Sequence, residues 1–254
     1  LEYKMIDYNN FDECIQSYGK KGPFDHCVID NFFHHDVAIE LEKEIPDYDS
    51  PDWFFYNNSI EHKKAQNSWE KFPTNTYRAF SELQSSKMTD RLSTLLHSNV
   101  YVDHGLHGGG WHIHGVGGNL NPHLDYSIHP KVKLERVLNI IIYMSSELRP
   151  EHGGNLGLWA HDEETKQPSE LIEEIVPVFN RAVVFNTTQN SWHGMSSPLT
   201  VDNGIYRKSL AIYYLRDPAS DADMRQRALF VPRENQRGDE EVLETIRLRS
   251  NVNT

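Results

Sequence analysis

The sequence predicts a mainly β protein with flanking helices, organised around a jelly-roll core. Three observations lead there. From Gly108 onward helical periodicity disappears, and short runs rich in β-branched and aromatic residues follow one another. About eight such runs can be counted, the number a jelly roll requires. No strand–helix alternation accompanies them, which disfavours a doubly wound parallel sheet.

The elements read as follows. Phe24 to Asn31 alternates like an entry strand, and Val37 to Ile45 has helical spacing that stops at Pro46. Asp36 stands where a helix N-terminus favours an anion. Thr74 to Ser85 and Met88 to His97 are two further helices, the second with Leu92, Leu95 and Leu96 at three- and four-residue spacing. The core strands are Gly110 to His114, Asn119 to Leu124, Arg136 to Met144, Asn155 to Ala160, Ile172 to Val178, Arg181 to Phe185, Trp192 to Met195 and Arg207 to Leu215. Turn signals at Gly117-Gly118, Gly153-Gly154 and Asn203-Gly204 separate several of them. One domain is expected over residues 1–216, with a helical part at 1–107 and the jelly-roll core at 108–216. Residues 217–254 are polar, with a helix only at Glu240 to Leu248, and read as a C-terminal appendage.

Composition bounds the function classes. With 254 residues, 38% hydrophobic and 24% charged, the chain is an ordinary globular one, so disordered and coiled-coil readings fall away. The formal charge of −12 and the absence of a cationic cluster argue against a nucleic-acid partner. No apolar run approaches the ~18 residues that span a membrane. Cys14 and Cys27 are too few for a disulfide framework, which points to a reducing, cytoplasmic compartment. Because the chain begins at Leu1, the question of a preceding leader stays open.

Fourteen histidines invite a search for metal ligands. An O₂-activating iron site of the two-His-one-carboxylate type needs three ligands on one face and open positions opposite. His123 and Asp125 stand two apart on a strand, hence on one side of it, and His193 offers the third ligand from a distant strand. His-x-Asp alone is weak evidence, since about one such pair arises by chance in a chain this rich in both residues. A second pair, His34-x-Asp36, precedes a helix and reads as its cap, and His161 with Glu163 sits in a polar loop. The company of His123 carries more weight. Arg207 and Ser209 open a strongly β run, where a buried guanidinium and a hydroxyl can receive the distal carboxylate of a dicarboxylate. Alternation sends Asn139, Ile141 and Tyr143 to one face, so the Tyr143 hydroxyl can join that carboxylate.

Taken in order, GGGWHIH, GGNLNPHLDYSIHP, RVLNIIIYMS, EHGGNLGLW, VPVFNRAVVFNTTQNSWHG and RKSLAIYYL resemble the Fe(II)- and 2-oxoglutarate-dependent oxygenases, in the prolyl-4-hydroxylase-like branch. The resemblance runs from about Gly108 to Leu215, and residues 24–45 are similar to the lead-in of that branch. It implies a double-stranded β-helix, with His123, Asp125 and His193 as iron ligands and Arg207, Ser209 and Tyr143 on 2-oxoglutarate. It further implies a dioxygenase that uses Fe(II), 2-oxoglutarate and O₂ to hydroxylate an unactivated C–H bond, releasing succinate and CO₂. A carboxylate at position 125 implies hydroxylation, because relatives that halogenate carry a small residue there. The substrate is expected to be prolyl, peptidyl or a small molecule, and nothing specifies the oligomeric state. Two departures stand out. Ile113 occupies the position, ten residues before the first ligand, where many relatives have a second tyrosine, and Arg207 replaces the lysine of collagen-type members.

A cupin-like metal- or ligand-binding module without turnover is the alternative, and a zinc hydrolase a third, although Arg207-x-Ser209 has no use in the last. Tyr126 and Tyr213 either line the substrate side or pack in the core. His104, His107, His112 and His114 lack the cysteines that usually accompany a structural zinc and read as Gly-rich loop and sheet surface. Gly108-Gly109-Gly110 is not followed by the Gly-Lys-Ser/Thr of a phosphate loop. Phe54, Phe55 and Tyr56 read equally as a substrate lid or as structural filler.

Overall fold

A computed structural model describes residues 4–250. Its chain order begins with α1 (Tyr8–Cys14), β1 (His26–Ile29) and α2 (His35–Lys43), followed by β2 (Phe54–Asn57) and β3 (Glu61–Gln66). Two helices, α3 (Thr74–Leu83) and α4 (Ser86–Leu96), precede the core strands β4 (Tyr101–Val102), β5 (Gly110–His114), β6 (Asn119–Leu120), β7 (His123–Leu124) and β8 (Glu135–Tyr143). Then come β9 (Leu156–His161), β10 (Pro168–Ile175), β11 (Ala182–Asn186), β12 (His193–Met195) and β13 (Arg207–Arg216), with β14 (Leu229–Phe230) and α5 (Glu240–Ser250) closing the chain.

Two antiparallel sheets form the jelly roll. The larger has the order β1-β11-β8-β13-β5-β3-β2, with β4 paired to β13 and β6 to β3; the smaller runs β10-β9-β12-β7-β14. The fold is the double-stranded β-helix that the strand pattern predicts. Alternation along β8 and β13 sorts the residues. Leu138, Ile140, Ile142, Leu210, Ile212 and Tyr214 join Val37, Leu41, Phe80, Leu83, Met88 and Leu92 of the helices in one buried cluster. The intervening residues Asn139, Ile141, Ser209, Ala211 and Tyr213 line a cavity on the other face. Helices therefore cover the outside of the larger sheet, and the cavity lies on its inner side.

The helices and core strands begin and end within a few residues of the sequence expectations. Asn119 to Leu124, expected as one strand, is interrupted: β6 and β7 flank Asn121 and Pro122, and proline supplies no ladder donor. The expected helix N-terminus at Asp36 exists with His34 as its cap residue, although the His34 side chain makes no capping hydrogen bond. The β2–β3 hairpin and β14 carried no usable period-2 signal, being short and flanked by polar residues. Residues 217–254, read as an appendage, include β14, which pairs with β7 and sets Phe230 opposite His123. α5 packs on it through Val242 and Ile246, which meet Phe230 and Ile60. Among the described residues no helix is long and apolar enough to cross a membrane.

Among the side chains that tie the N-terminal segment to the core, Asn180 is buried and makes two contacts to one residue. Asn180 accepts from the Phe33 N–H at 2.9 Å and donates to the Phe33 carbonyl at 2.8 Å, both in buried surroundings. Asn180 itself has φ of 62°, a conformation asparagine tolerates better than most residues.

Candidate active site

The ladder between β7 and β12 sets His193 directly opposite His123. Their imidazole centroids lie 4.3 Å apart. Asp125 follows β7 and completes the group: His123 Nε2 is 3.8 Å from its Oδ1 and His193 Nε2 is 3.6 Å from its Oδ2. One ligand atom from each of the three lies within 4.8 Å of the others. Gly194 makes this approach possible, because a Cβ there would stand 2.7 Å from the Asn121 carbonyl oxygen.

Backbone carbonyls orient both rings. The Nδ1–H of His123 donates to the Asn121 carbonyl at 3.0 Å, and that of His193 to the Ser191 carbonyl at 2.8 Å. A carbonyl only accepts, so each ring carries a proton on Nδ1, and the neutral form of each, the form a metal needs, turns its bare Nε2 toward the group. Burial, together with the neighbouring His193, pushes the His123 imidazole down to about 3. Phe230 stacks on His123 and Phe185 lies against His193, so apolar surface flanks the pair.

Burial pushes the Asp125 carboxyl up, but His193, Arg136, His123 and the Tyr213 hydroxyl outweigh it and hold the group below its usual range. Tyr213 donates to Asp125 Oδ1 at 3.2 Å, and Arg136 Nη1 is 3.5 Å from the same oxygen. Arg225 Nη1 donates to the Asp125 backbone carbonyl at 2.7 Å. Asp125 Oδ2 is buried without a hydrogen-bond partner. A bare carboxylate oxygen beside two imidazole Nε2 atoms leaves a buried acceptor unmatched, which a divalent cation would satisfy. This set of two imidazoles and one carboxylate suits ferrous iron.

A cavity of about 510 Å³ holds this group together with Arg207, Ser209, His112 and His114. The two histidines, expected at the sheet surface, instead face this cavity, because alternation along β5 turns them to its inner side. Arg207 is buried; its Nε donates to the Gly154 carbonyl at 2.7 Å and its Nη2 to the Tyr143 hydroxyl at 3.4 Å. Burial lowers its pKa, yet guanidinium stays protonated at neutral pH. Ser209 sits between Tyr143 of β8 and His112 of β5 in the ladder. Five of the six candidate residues line this cavity; Tyr143 does not line it, being packed among Leu156, Leu158 and Phe185 with its hydroxyl on Arg207.

Two residues that the sequence left undecided have definite places. Tyr126 and Tyr213 sandwich the Arg136 guanidinium, whose central carbon lies 3.4 Å and 3.3 Å from their ring centroids. Arg136 itself was missed. Strict alternation from Leu138 puts it on the helix-facing side, but a register shift between Tyr214 and Leu215 re-aims it into the cavity. Further residues missed are Arg225 and Phe230, both in the C-terminal segment. The decoys resolve otherwise: His161 accepts the Trp192 indole N–H at 3.0 Å, and the His107 carbonyl accepts from Arg136 at 2.7 Å. Phe54 and Tyr56 line the outer part of the cavity.

Residues 109–215 match the family model of the 2OG-Fe(II) oxygenase superfamily. No curated protein matches the chain. Among solved structures, a Pseudomonas putida prolyl-4-hydroxylase aligns at 14% identity and a TM-score of 0.58, covering 82% of this chain and 98% of that one. A Trichoplax adhaerens prolyl hydroxylase in complex with a hypoxia inducible factor peptide fragment aligns at 17% identity and a TM-score of 0.54, covering 81% and 88%. HygX from Streptomyces hygroscopicus, with nickel, 2-oxoglutarate and hygromycin B bound, aligns at 10% identity and a TM-score of 0.51, covering 82% and 86%. The family model identifies residues 109–215 as a 2OG-Fe(II) oxygenase region, and the fold around it has prolyl-4-hydroxylase-like architecture. The chain is a 2-oxoglutarate-dependent dioxygenase whose cofactors are Fe(II) and 2-oxoglutarate.

Proposed function

We propose that this enzyme hydroxylates an unactivated C–H bond of a prolyl, peptidyl or small-molecule substrate, with conversion of 2-oxoglutarate and O₂ to succinate and CO₂. The observation that carries the reading is the buried convergence of His123, Asp125 and His193 in a cavity that also holds the Arg207 guanidinium. In this reading His123 and His193 supply neutral nitrogens and Asp125 the single negative charge. Arg207, Ser209 and Tyr143 hold the distal carboxylate of 2-oxoglutarate. Bound ferrous iron with 2-oxoglutarate supplies the oxidising capacity, drawn from O₂, that converts C–H to C–OH.

The chain's own groups prepare the site. Tyr213 and Arg136 keep Asp125 ionised and aimed, and the two carbonyls at Asn121 and Ser191 fix the imidazole tautomers. Phe185 and Phe230 exclude water from the ring faces. Proteins of this fold bind cargoes as different as a peptide fragment and hygromycin B, which supports a substrate range that spans peptidyl and small-molecule groups. We further propose that residues 1–216 are one oxygenase domain, to which residues 217–254 are added. The free Cys14 and Cys27 fit a reducing, cytoplasmic setting.

The test is spectroscopic first and then catalytic. Anaerobic addition of Fe(II) and 2-oxoglutarate should give the weak visible charge-transfer band of the chelate, absent in His123→Ala and Asp125→Ala. A succinate-coupled screen of peptides and metabolites should then identify the substrate class. A band that persists in both variants would refute the ligand assignment.

A further inference from the structure

Three adjacent strands of the larger sheet bring polar side chains to one part of the cavity. In the ladder Arg207 of β13 is the partner of His114 of β5, and Ser209 the partner of His112. On the far side of β5, β3 contributes Lys63, which also lines the cavity. Lys63 is already matched by Glu61 at 3.1 Å. His114 is not: it is 2% exposed, and neither of its ring nitrogens has a hydrogen-bond partner among the described residues.

A buried imidazole with two unmatched nitrogens is costly unless something that enters the cavity completes it. Burial, then the charges of Arg207, Lys63 and His112, hold His114 well below its usual range, against the raising effect of the Arg207 backbone, which the ring approaches without the geometry of a hydrogen bond. The ring is therefore neutral and carries one N–H donor and one acceptor. Beside a guanidinium, the ligand group that uses both an imidazole N–H and an N–H of arginine is a carboxylate. The cavity's other carboxylate partner, Ser209, lies one inward-facing position further along β13.

We infer that His114 is a positioning residue that donates its N–H to the distal carboxylate of the 2-oxo acid, next to Arg207. The inference rests on the proposed function, which seats that carboxylate at Arg207. It assigns work to a histidine in the strand where Ile113, buried in the core behind the sheet, offers no polar group.

Binding to the full chain loaded with Mn(II), which supports no turnover, provides the readout. Calorimetry compares 2-oxoglutarate with 2-oxopentanoate, which keeps the chelating end and lacks the distal carboxylate. Wild type should prefer 2-oxoglutarate. His114→Phe keeps the ring volume and removes the N–H, so 2-oxoglutarate should bind about tenfold more weakly, the worth of one hydrogen bond to a charged group. Affinity for 2-oxopentanoate should stay within about twofold of wild type, and His114→Gln, which restores an N–H donor, should recover part of the loss. His114→Leu serves in the same comparison should the Phe variant not fold. Equal weakening of both acids, or no weakening of either, overturns the role of His114 and leaves the proposed function standing. Failure of wild type to bind either acid overturns the proposed function itself, and the inference with it.

Discussion

Arg136 and Tyr213 lie face to face, guanidinium on phenol ring, and the Tyr213 hydroxyl then reaches Asp125 Oδ1 at 3.2 Å. The stack links the aromatic wall of the cavity to the one carboxylate in the ligand cluster. Arg136 is 2% exposed, so its charge is matched by Asp125 and by the two rings instead of by water.

Replacing Arg136 by Met should therefore destabilise the fold by roughly 3–5 kcal/mol, because Asp125 would keep a buried charge without its partner. The His107 carbonyl would lose its donor as well. Urea unfolding measures the loss. A change of less than about 1 kcal/mol, the range of an exposed pair, would show that solvent already screens this contact.

Tyr213→Phe is the milder companion. It keeps the ring on Arg136 and deletes the hydroxyl that donates to Asp125. Metal affinity should fall about tenfold, as for other outer partners of ligating groups, while the melting temperature changes little. Titration with Mn(II) decides it, and an unchanged affinity would mean that this hydroxyl does not orient the carboxylate.

Asn180→Ala should cost roughly 2–4 kcal/mol, since it leaves the buried N–H and carbonyl of Phe33 unmatched at once. Asn180→Asp retains the acceptor and loses the donor, so its cost should be smaller at a pH where the carboxyl is protonated than at neutral pH. Denaturant midpoints of the two variants at two pH values provide the check.

Stability should also decline in mild acid. Burial first, with the charge of Arg136, keeps His107 below its usual range, and burial does the same for His129. The unfolded chain takes up protons on these rings below about 6.5, where the folded chain refuses them, so stability is lost as pH falls from there toward the folded-state values. Facing His129, Asp103 at 3.5 Å works in the opposite direction and limits the shift. Urea midpoints at pH 7.5 and 5.5 should differ in wild type and differ less in His129→Gln.

Local signals made much of this molecule legible. Period-2 alternation in RVLNIIIYM and RKSLAIYYL separates a helix-facing set from a cavity-facing set, because successive strand residues point to opposite faces. Two-residue spacing brings His123 and Asp125 to one place for the same reason. Short strands escaped. The β2–β3 hairpin and β14 draw their stability from pairing and packing and carry little apolar pattern of their own.

The sequence by itself determined the jelly-roll class, the His123–Asp125 pair and the Arg207–Ser209 strand, since these are written in residue type and short spacing. His193, far along the chain, became a candidate through the ordered motifs that resemble the family. Only the tertiary structure decided which distant groups meet them. The register shift that turns Arg136 inward, the Asn121 and Ser191 carbonyls that orient the imidazoles, and the Arg225 and Phe230 contacts from the C-terminal segment all depend on how separate strands pair. Pairing is set by the burial of many side chains at once, a property of the whole chain that no local window contains.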